Sequence, residues 1–335
     1  MAILITGGSG YIGSHTAVEL IQAGYEVIIV DNLSNSKPEV CNRIKEITGI
    51  KPKFYELNLL NEAGLNQLFD NEVIESVIHF AGYKAVGESV DKPLAYYENN
   101  VTSTINLCKV MQAHQVNKLI FSSSATVYGQ DGISPLVETL PLSATNPYGN
   151  SKVIIENILK DLSASNPKWQ ITSLRYFNPI GAHQSGLIGE EPSGIPNNLL
   201  PFITQVAIGK MVKLAVFGND YDTPDGTGVR DYIHVLDLAK GHIAALNQLE
   251  EQKGYDVFNL GTGKGCSVLD IISTFELVNQ VSVPYMVVER RPGDIAACYA
   301  DTHKAEQVLG WQALYTLEDM CRDSWNWQKK NPDGY

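Results

Sequence analysis

The sequence predicts an α/β fold: a doubly wound parallel sheet with a smaller C-terminal lobe. Three observations carry that expectation. Short apolar runs alternate with helical stretches through the first half of the chain. The runs are apolar almost throughout rather than alternating, as strands buried on both faces require. A turn with regularly spaced glycines joins the first run to the first helix, the connection used in parallel sheets that hold ligands at their strand ends.

Residues 2–6 read as the first strand and residues 11–23 as the helix behind it, with Gly24 as its stop. Strands two to five are expected at 26–31, 53–57, 76–80 and 118–122. Long helical segments are expected at 93–114 and 148–163, and a sixth strand at 171–177. Gly/Pro-rich stretches at 181–196 and 218–228 then break the rhythm. Helices are expected after them at 198–209, 235–249, 267–278 and 317–328. The expected division is a main domain over 1–176, completed by strands crossing back from later segments, and a lobe over 177–335.

The length of 335 residues and an apolar content of 44% suit a large packed core. The formal charge of −12 argues against a general nucleic-acid or membrane-surface binder. No apolar stretch approaches the roughly 18 residues of a membrane span. Cys41, Cys108, Cys266, Cys298 and Cys321 lack CxxC spacing. They are read as reduced, packed thiols, and no metal site is expected. The strand pattern opens at Ala2, so no targeting peptide is expected and the cytoplasm is the expected location.

Gly7, Gly10 and Gly13 lie three apart, directly after a strand and at the start of a helix; Gly8, Gly10 and Gly13 also satisfy G-x-G-x-x-G. Either register permits a tight turn and lets backbone N–H groups approach a pyrophosphate at a helix N-terminus. Asp31 ends the second strand 18 residues after Gly13. A carboxylate there bonds ribose hydroxyls and repels a 2′-phosphate, which favours NAD over NADP. The competing reading is a generic glycine turn with a solvated aspartate.

Tyr148 and Lys152 are four apart at the start of an expected helix, on one helical face. A free tyrosine has a pKa near 10, so service as a base near neutrality needs about 3 units of phenolate stabilisation, roughly 4 kcal/mol. A nearby ammonium and a cationic nicotinamide can supply it. The pattern alone is common on protein surfaces. It gains weight because the fifth strand runs into Ser123 and Ser124, where a doubly wound sheet opens its ligand crevice.

These residues resemble the extended short-chain dehydrogenase/reductases, with their Rossmann sheet, and within them the UDP-hexose 4-epimerases. The resemblance is carried by the loop Thr6–Gly13 and by the motifs at 31–35, 79–82, 84–89, 122–129, 175–179, 194–199 and 226–235. It spans essentially the whole chain. It implies that Tyr148 takes the proton of the sugar's 4-hydroxyl while hydride passes to NAD. Ser124 orients that hydroxyl, and Lys152 also holds the nicotinamide ribose. The 4-keto sugar then turns over, hydride returns to its other face, and NAD stays bound between cycles. The positions that hold NAD by resemblance are Gly7, Gly10, Tyr11, Ile12, Gly13, Asp31, Asn32, Asn35, Asn58, Leu59, Phe80, Ala81, Lys84, Asn99, Ser122, Tyr148, Lys152 and Tyr176. Those that grip the UDP-sugar are Ser124, Tyr148, Asn178, Asn198, Leu199, Phe217, Arg230, Arg291, Asp294 and Cys298. Forked arginine donors suit a diphosphate. A homodimer, formed through the segments at 93–114 and 148–163, is implied as well.

Two positions depart from the family pattern. Asn58-Leu59 stands where Asp-Ile or a similar pair is usual; the amide oxygen of Asn58 can still accept a bond from an adenine amino group. Cys298 stands where members restricted to plain hexoses carry a tyrosine. The smaller side chain leaves room for an N-acetyl group, which predicts interconversion of UDP-GalNAc and UDP-GlcNAc. The alternative is a packed thiol with the alignment slipped to Tyr299. A 4,6-dehydratase on this scaffold needs an Asp-Glu pair where Ala125-Thr126 stands. A UDP-pentose or UDP-uronate epimerase and a non-catalytic nucleotide-sugar-binding protein remain as alternatives.

Overall fold

The computed structural model describes residues 2–130, 132–192, 194, 196, 198–291 and 293–335; Ile195 and Asn197, within the 194–199 motif, lie outside the described residues. The strands in chain order are β1 (Ala2–Thr6), β2 (Glu26–Asp31), β3 (Lys53–Glu56), β4 (Ile74–His79), β5 (Lys118–Ser124), β6 (Gln170–Tyr176), β7 (Asn178–Ile180), β8 (Leu214–Phe217), β9 (Val229–His234), β10 (Gly254–Leu260), β11 (Gly265–Ser267), β12 (Tyr285–Val288) and β13 (Ala297–Cys298). Seven of them form one parallel sheet in the order β10-β6-β5-β4-β1-β2-β3. The order reverses beside β1, so the crevice opens above the carboxyl ends of β1 and β4.

Alternate residues of the strands feed opposite faces. Ile3 and Ile5 of β1 and Val27 and Ile29 of β2 pack in one core. Ala2, Leu4, Ile28 and Val30 pack in the other. The first core is closed by α1 (Tyr11–Gln22), α2 (Glu39–Thr48) and a helix that arrives from the second half. The second is closed by α3 (Glu62–Asn71) and two longer helices described next. Both faces are covered, which is why the strands read as unbroken apolar runs.

The segment expected as one helix at 93–114 is interrupted. After α4 (Val86–Asp91) come α5 (Pro93–Tyr97), a wide turn of π geometry at Glu98–Thr102, and α6 (Ser103–Ala113). The wide turn lets Asn100 face inward, where its side chain bonds Tyr83 N–H, Tyr83 C=O and the Ser151 hydroxyl. The helix expected at 148–163 is α7 (Pro147–Ser165), started by Pro147 and by Asn146 accepting from Gly149 N–H.

The seventh strand, β10, enters from beyond residue 177, beside β6. Sequence reasoning did not find it, because Asp256 and Asn259 interrupt its apolar run. Both are partnered: Asp256 by Lys304, and buried Asn259 by Tyr128 and backbone groups. The lobe is built from β9 with β7, β11 and β13, and from the pair β8–β12. Its core joins α8 (Leu199–Ala207), α10 (Val268–Asn279) and α11 (Leu317–Lys330). The helix α9 (Val235–Leu249) returns to pack on α1.

Three histidines are sealed inside the sheet region. His79 lies between the hydroxyls of Thr6 and Thr104. His15 is bonded to Tyr11 C=O, and His242 to Leu238 C=O and Tyr176. Burial lowers His15 and His79 to about 3 and His242 to about 4. Each stays neutral in the folded chain while its unfolded counterpart, near 6.5, takes up a proton. The unfolded state therefore binds more protons between pH 6.5 and about 4, and stability falls as pH falls through that window. The three together give a slope of roughly 4 kcal/mol per pH unit near pH 5. Urea denaturation at pH 7.5, 6.0 and 5.0 checks this. A flat stability across that range contradicts it.

Candidate active site

The carboxyl ends of adjacent strands gather the catalytic candidates. Thr6 pairs with His79, His79 with Phe121, and Ser124 with Tyr176 across β1, β4, β5 and β6. The loop Gly7–Gly10, Phe80, Ser122, Ser124 and Tyr176 therefore share one edge. Strand β5 runs two residues beyond its expected end, so Ser123 and Ser124 are strand residues. The tight turn that follows is capped by the Ser124 hydroxyl, which accepts from Thr126 N–H and hydroxyl.

The loop after β1 fits a pyrophosphate. Gly7 has φ +70°, and a Cβ there would lie 2.7 Å from Ala81 N. A Cβ on Gly13 would lie 2.4 Å from Gly7 O. Gly10 precedes α1 with extended backbone and no side-chain cap, so the first N–H groups of the helix face the cradle. Tyr11 turns its side chain away and donates to Gly181 C=O at 2.6 Å. The aliphatic side chain of Ile12 packs against the core, half-buried. Asp31 accepts from Ser9 N–H and Leu33 N–H at 3.0 Å and from the Ser36 hydroxyl at 2.9 Å. These bonds aim it, with further lone pairs for ribose hydroxyls. Asn32 and Asn58 close local turns by accepting from Ser34 N–H and Leu60 N–H. Asn35 lies in the loop after β2, Leu59 is buried, and Asn99 donates to Asn100.

Tyr148, on the first turn of α7, faces Ser124. Lys152, one turn later, is buried and donates to Ser122 C=O at 2.7 Å. Its ammonium sits 4.8 Å from the Phe121 ring centre and 5.8 Å from that of Tyr148. Burial lowers its pKa to about 8, against the pull of Glu156, so it is an ammonium at neutral pH. Burial pushes Tyr148 up, and a Ser124 hydrogen bond and the Lys84 charge only partly offset this. The protein alone therefore keeps Tyr148 protonated. Sequence reasoning placed Lys84 only with the cofactor; its charge also acts on Tyr148. Tyr176 is buried and bonded to His242, and burial raises it.

The other candidates lie on lobe elements, on β7, β8, β9, α8 and β13 and the segments beside them. Asn178 is exposed at the start of β7, Asn198 precedes α8, and Leu199 opens that helix, half-buried. Arg291 pairs with Asp294 at 2.9 Å and lies 4.8 Å from the centre of the exposed Phe217 ring. Arg230 is held by Val229 C=O and Ile295 C=O, and Asp294 lies 3.9 Å away. Cys298 pairs in register with Arg230 and packs against the cluster of Val127, Tyr128, Leu136, Phe177 and Ala300. Tyr299 instead lies against Gly265. Among the described residues no group of His, Cys, Asp and Glu could hold a metal ion, and no helix is long and apolar enough to cross a membrane.

Known proteins are similar to this chain in sequence and fold. The profile of the NAD dependent epimerase/dehydratase family matches residues 3–261. The chain is 58% identical over 335 residues to the UDP-glucose 4-epimerase of Bacillus subtilis, covering 100% of this chain and 99% of that one. It superposes with TM-score 0.96 and 53% identity on the Bifidobacterium longum UDP-glucose 4-epimerase in complex with NAD+ and UDP, over 100% of both chains. The UDP-Glc/GlcNAc 4-epimerase of Campylobacter jejuni is similar at 38% identity and TM-score 0.86, covering 98% of this chain and 99% of that one.

Because a Cβ on Gly13 would run into the Gly7–Gly8 backbone, Gly13→Ala forces the loop open. The expected cost is about 1–3 kcal/mol of stability together with loss of dinucleotide binding. Thermal denaturation with and without added dinucleotide tests this: the stabilisation by ligand seen in the parent should vanish in the variant.

Proposed function

The chain belongs to the NAD dependent epimerase/dehydratase family, and from that premise we propose that it interconverts UDP-galactose and UDP-glucose at carbon 4 with NAD held in place. The observation that carries the reading is the convergence of Ser124, Tyr148 and Lys152 beside a glycine cradle that a Cβ would fill.

The residues divide the work. Gly7, Gly10 and the N-terminus of α1 would hold the pyrophosphate, Asp31 the adenosine ribose, and Lys152 the nicotinamide ribose. Bound NAD supplies a hydride acceptor that returns the hydride, and its cationic ring adds the phenolate stabilisation that burial denies Tyr148. Tyr148 takes the proton of the 4-hydroxyl and gives it back. Ser124, bonded to Tyr148, orients that hydroxyl. Lys84 and Lys152 supply positive charge on two sides of the tyrosine. Arg230 and Arg291 offer forked donors to the diphosphate, and Phe217 a flat face to the nucleotide.

Cys298 supports a wider substrate range. It packs against the cluster that holds Val127 and Phe177, and its side chain is shorter than the tyrosine of members restricted to plain hexoses, which would leave space beside the sugar for an N-acetyl group. UDP-GalNAc and UDP-GlcNAc are therefore proposed as a second substrate pair. Two copies are proposed to pair through the α4–α5 and α7 face, where Val86, Val90 and Leu94 are exposed to 43%, 61% and 81%.

Tyr148→Phe keeps the ring and removes the proton carrier, so kcat should fall by about 10²–10⁴-fold. Product analysis with UDP-galactose measures it, and unchanged turnover sinks the mechanism. Cys298→Tyr should abolish conversion of UDP-GalNAc while UDP-galactose conversion persists. If the parent leaves UDP-GalNAc untouched, the pocket argument is wrong.

A further inference from the structure

The segment Gly189–Glu191 has no assigned role, yet it joins the two walls of the cofactor crevice. Phosphate-loop residues follow β1; the walls are the segments after β2 and β4, its neighbours in the sheet. From the β4 side, Lys84 donates to Glu190 Oε1 at 2.8 Å. From the β2 side, Lys37 donates to Glu191 Oε1 at 2.7 Å. The two acidic residues are consecutive, so a single stretch of backbone is tied to both walls. It also passes near the start of α1. Tyr11 is raised by burial first, then by the charges of Glu190 and Tyr335.

The stretch is backed from outside. Trp327 donates to Glu190 C=O at 3.2 Å. Gly189 N–H donates to the Tyr335 hydroxyl at 3.1 Å, and that hydroxyl donates back to Gly189 C=O at 3.2 Å. A Cβ on Gly189 would lie 2.4 Å from the Trp327 ring, so glycine lets the backbone lie flat on the indole. Glu190 Oε1 accepts a second bond from Asn198 at 2.7 Å, which reaches the head of α8 in the other lobe.

We infer that Gly189–Glu191 is a strap that retains the dinucleotide, with Lys84–Glu190 and Lys37–Glu191 as its two latches. The inference rests on the proposed reading that NAD is held between turnovers. Each carboxylate is matched by a lysine, so the strap brings no unpaired negative charge to a pyrophosphate. Lys84 keeps two further N–H donors for ligand. The latches are half in solvent, with lysine side chains 47% and 52% exposed, so they can open for loading.

The test is cofactor retention rather than activity. Wild type and the E190Q/E191Q double variant are desalted, their NAD content is measured after acid extraction, and NAD release is followed on dilution. Glutamine keeps the accepting oxygen and removes the charge. Wild type should retain NAD. The variant should release it about tenfold faster or more, with its thermal midpoint in excess NAD unchanged. Wild-type release should also speed up between about 0.05 and 0.5 M salt, and this dependence should weaken in the variant. Release at the wild-type rate by a folded variant overturns the strap. A charge swap covers a variant that does not fold: K37E should speed release, and K37E/E191K should restore it. Failure to restore overturns the Glu191 latch. If wild type neither contains nor binds NAD, the functional reading itself fails, a separate result.

Discussion

The catalytic residues come from a strand end and a helix, and their meeting depends on one buried ion pair. Glu156, one turn after Lys152 on α7, is fully buried and faces Arg175 on β6, which is 1% exposed. Arg175 donates through Nε at 3.0 Å and Nη2 at 2.7 Å, a forked pair. Its Nη1 donates to the Tyr128 hydroxyl and Glu138 C=O. The remaining acceptor capacity of Glu156 takes the Ser123 hydroxyl at 2.6 Å. Tyr128 passes the chain of bonds to Asn259 on β10. A buried charge with a missing partner costs about 3–5 kcal/mol, so α7, β5, β6 and β10 are held in one register. Ser122, which anchors Lys152, and Ser124, which meets Tyr148, flank Ser123. Their positions follow from that bond.

The same pair explains how the site can be both buried and charged. Among the described residues Lys152 makes no ion pair; its ammonium is held by a backbone carbonyl and by aromatic rings. Glu156 is the opposing charge that acts on it, and that charge is shared with Arg175. Burial therefore wins at Lys152 and at Tyr148 in opposite directions, toward a less stable ammonium and a less stable phenolate. Such a site is strained toward neutrality until ligands arrive. The charge that acts on Tyr148 comes from Lys84, on a different loop, which a spacing argument along α7 could not reveal.

How much was legible from the residues follows from what each signal is. Strand β2 and helix α9 are placed as expected because apolar period and boundary residues agree there. The glycine loop was legible because its constraint is local: Gly7 needs positive φ, and Gly13 needs to lack a Cβ. That Tyr148 and Lys152 share one face of α7 was legible through helical spacing. Strand β10 was not, since buried Asn259 breaks its pattern and its side chain is satisfied by Tyr128, Leu136 and Asp301, all on other segments. The π turn at 98–102 was hidden for a similar reason: the partners of Asn100 are Tyr83 and Ser151. Glu190 looked like any acidic loop residue, because nothing local shows that Lys84 and Asn198 share its carboxylate.

The departures from local legibility have one physical source. Each is a polar group whose partner lies on another element, and each such pair fixes the relation between elements rather than the shape of one. Glu156–Arg175 fixes helix to sheet, Asn100 fixes the β4 loop to α7, and Glu190 fixes the nucleotide side to the lobe. An enzyme that returns a hydride to the opposite face of its substrate needs the sugar free to turn while cofactor and base stay put. Apolar packing holds each core together but tolerates small slips. Directional bonds between elements remove those slips, so the chain places them around the catalytic edge.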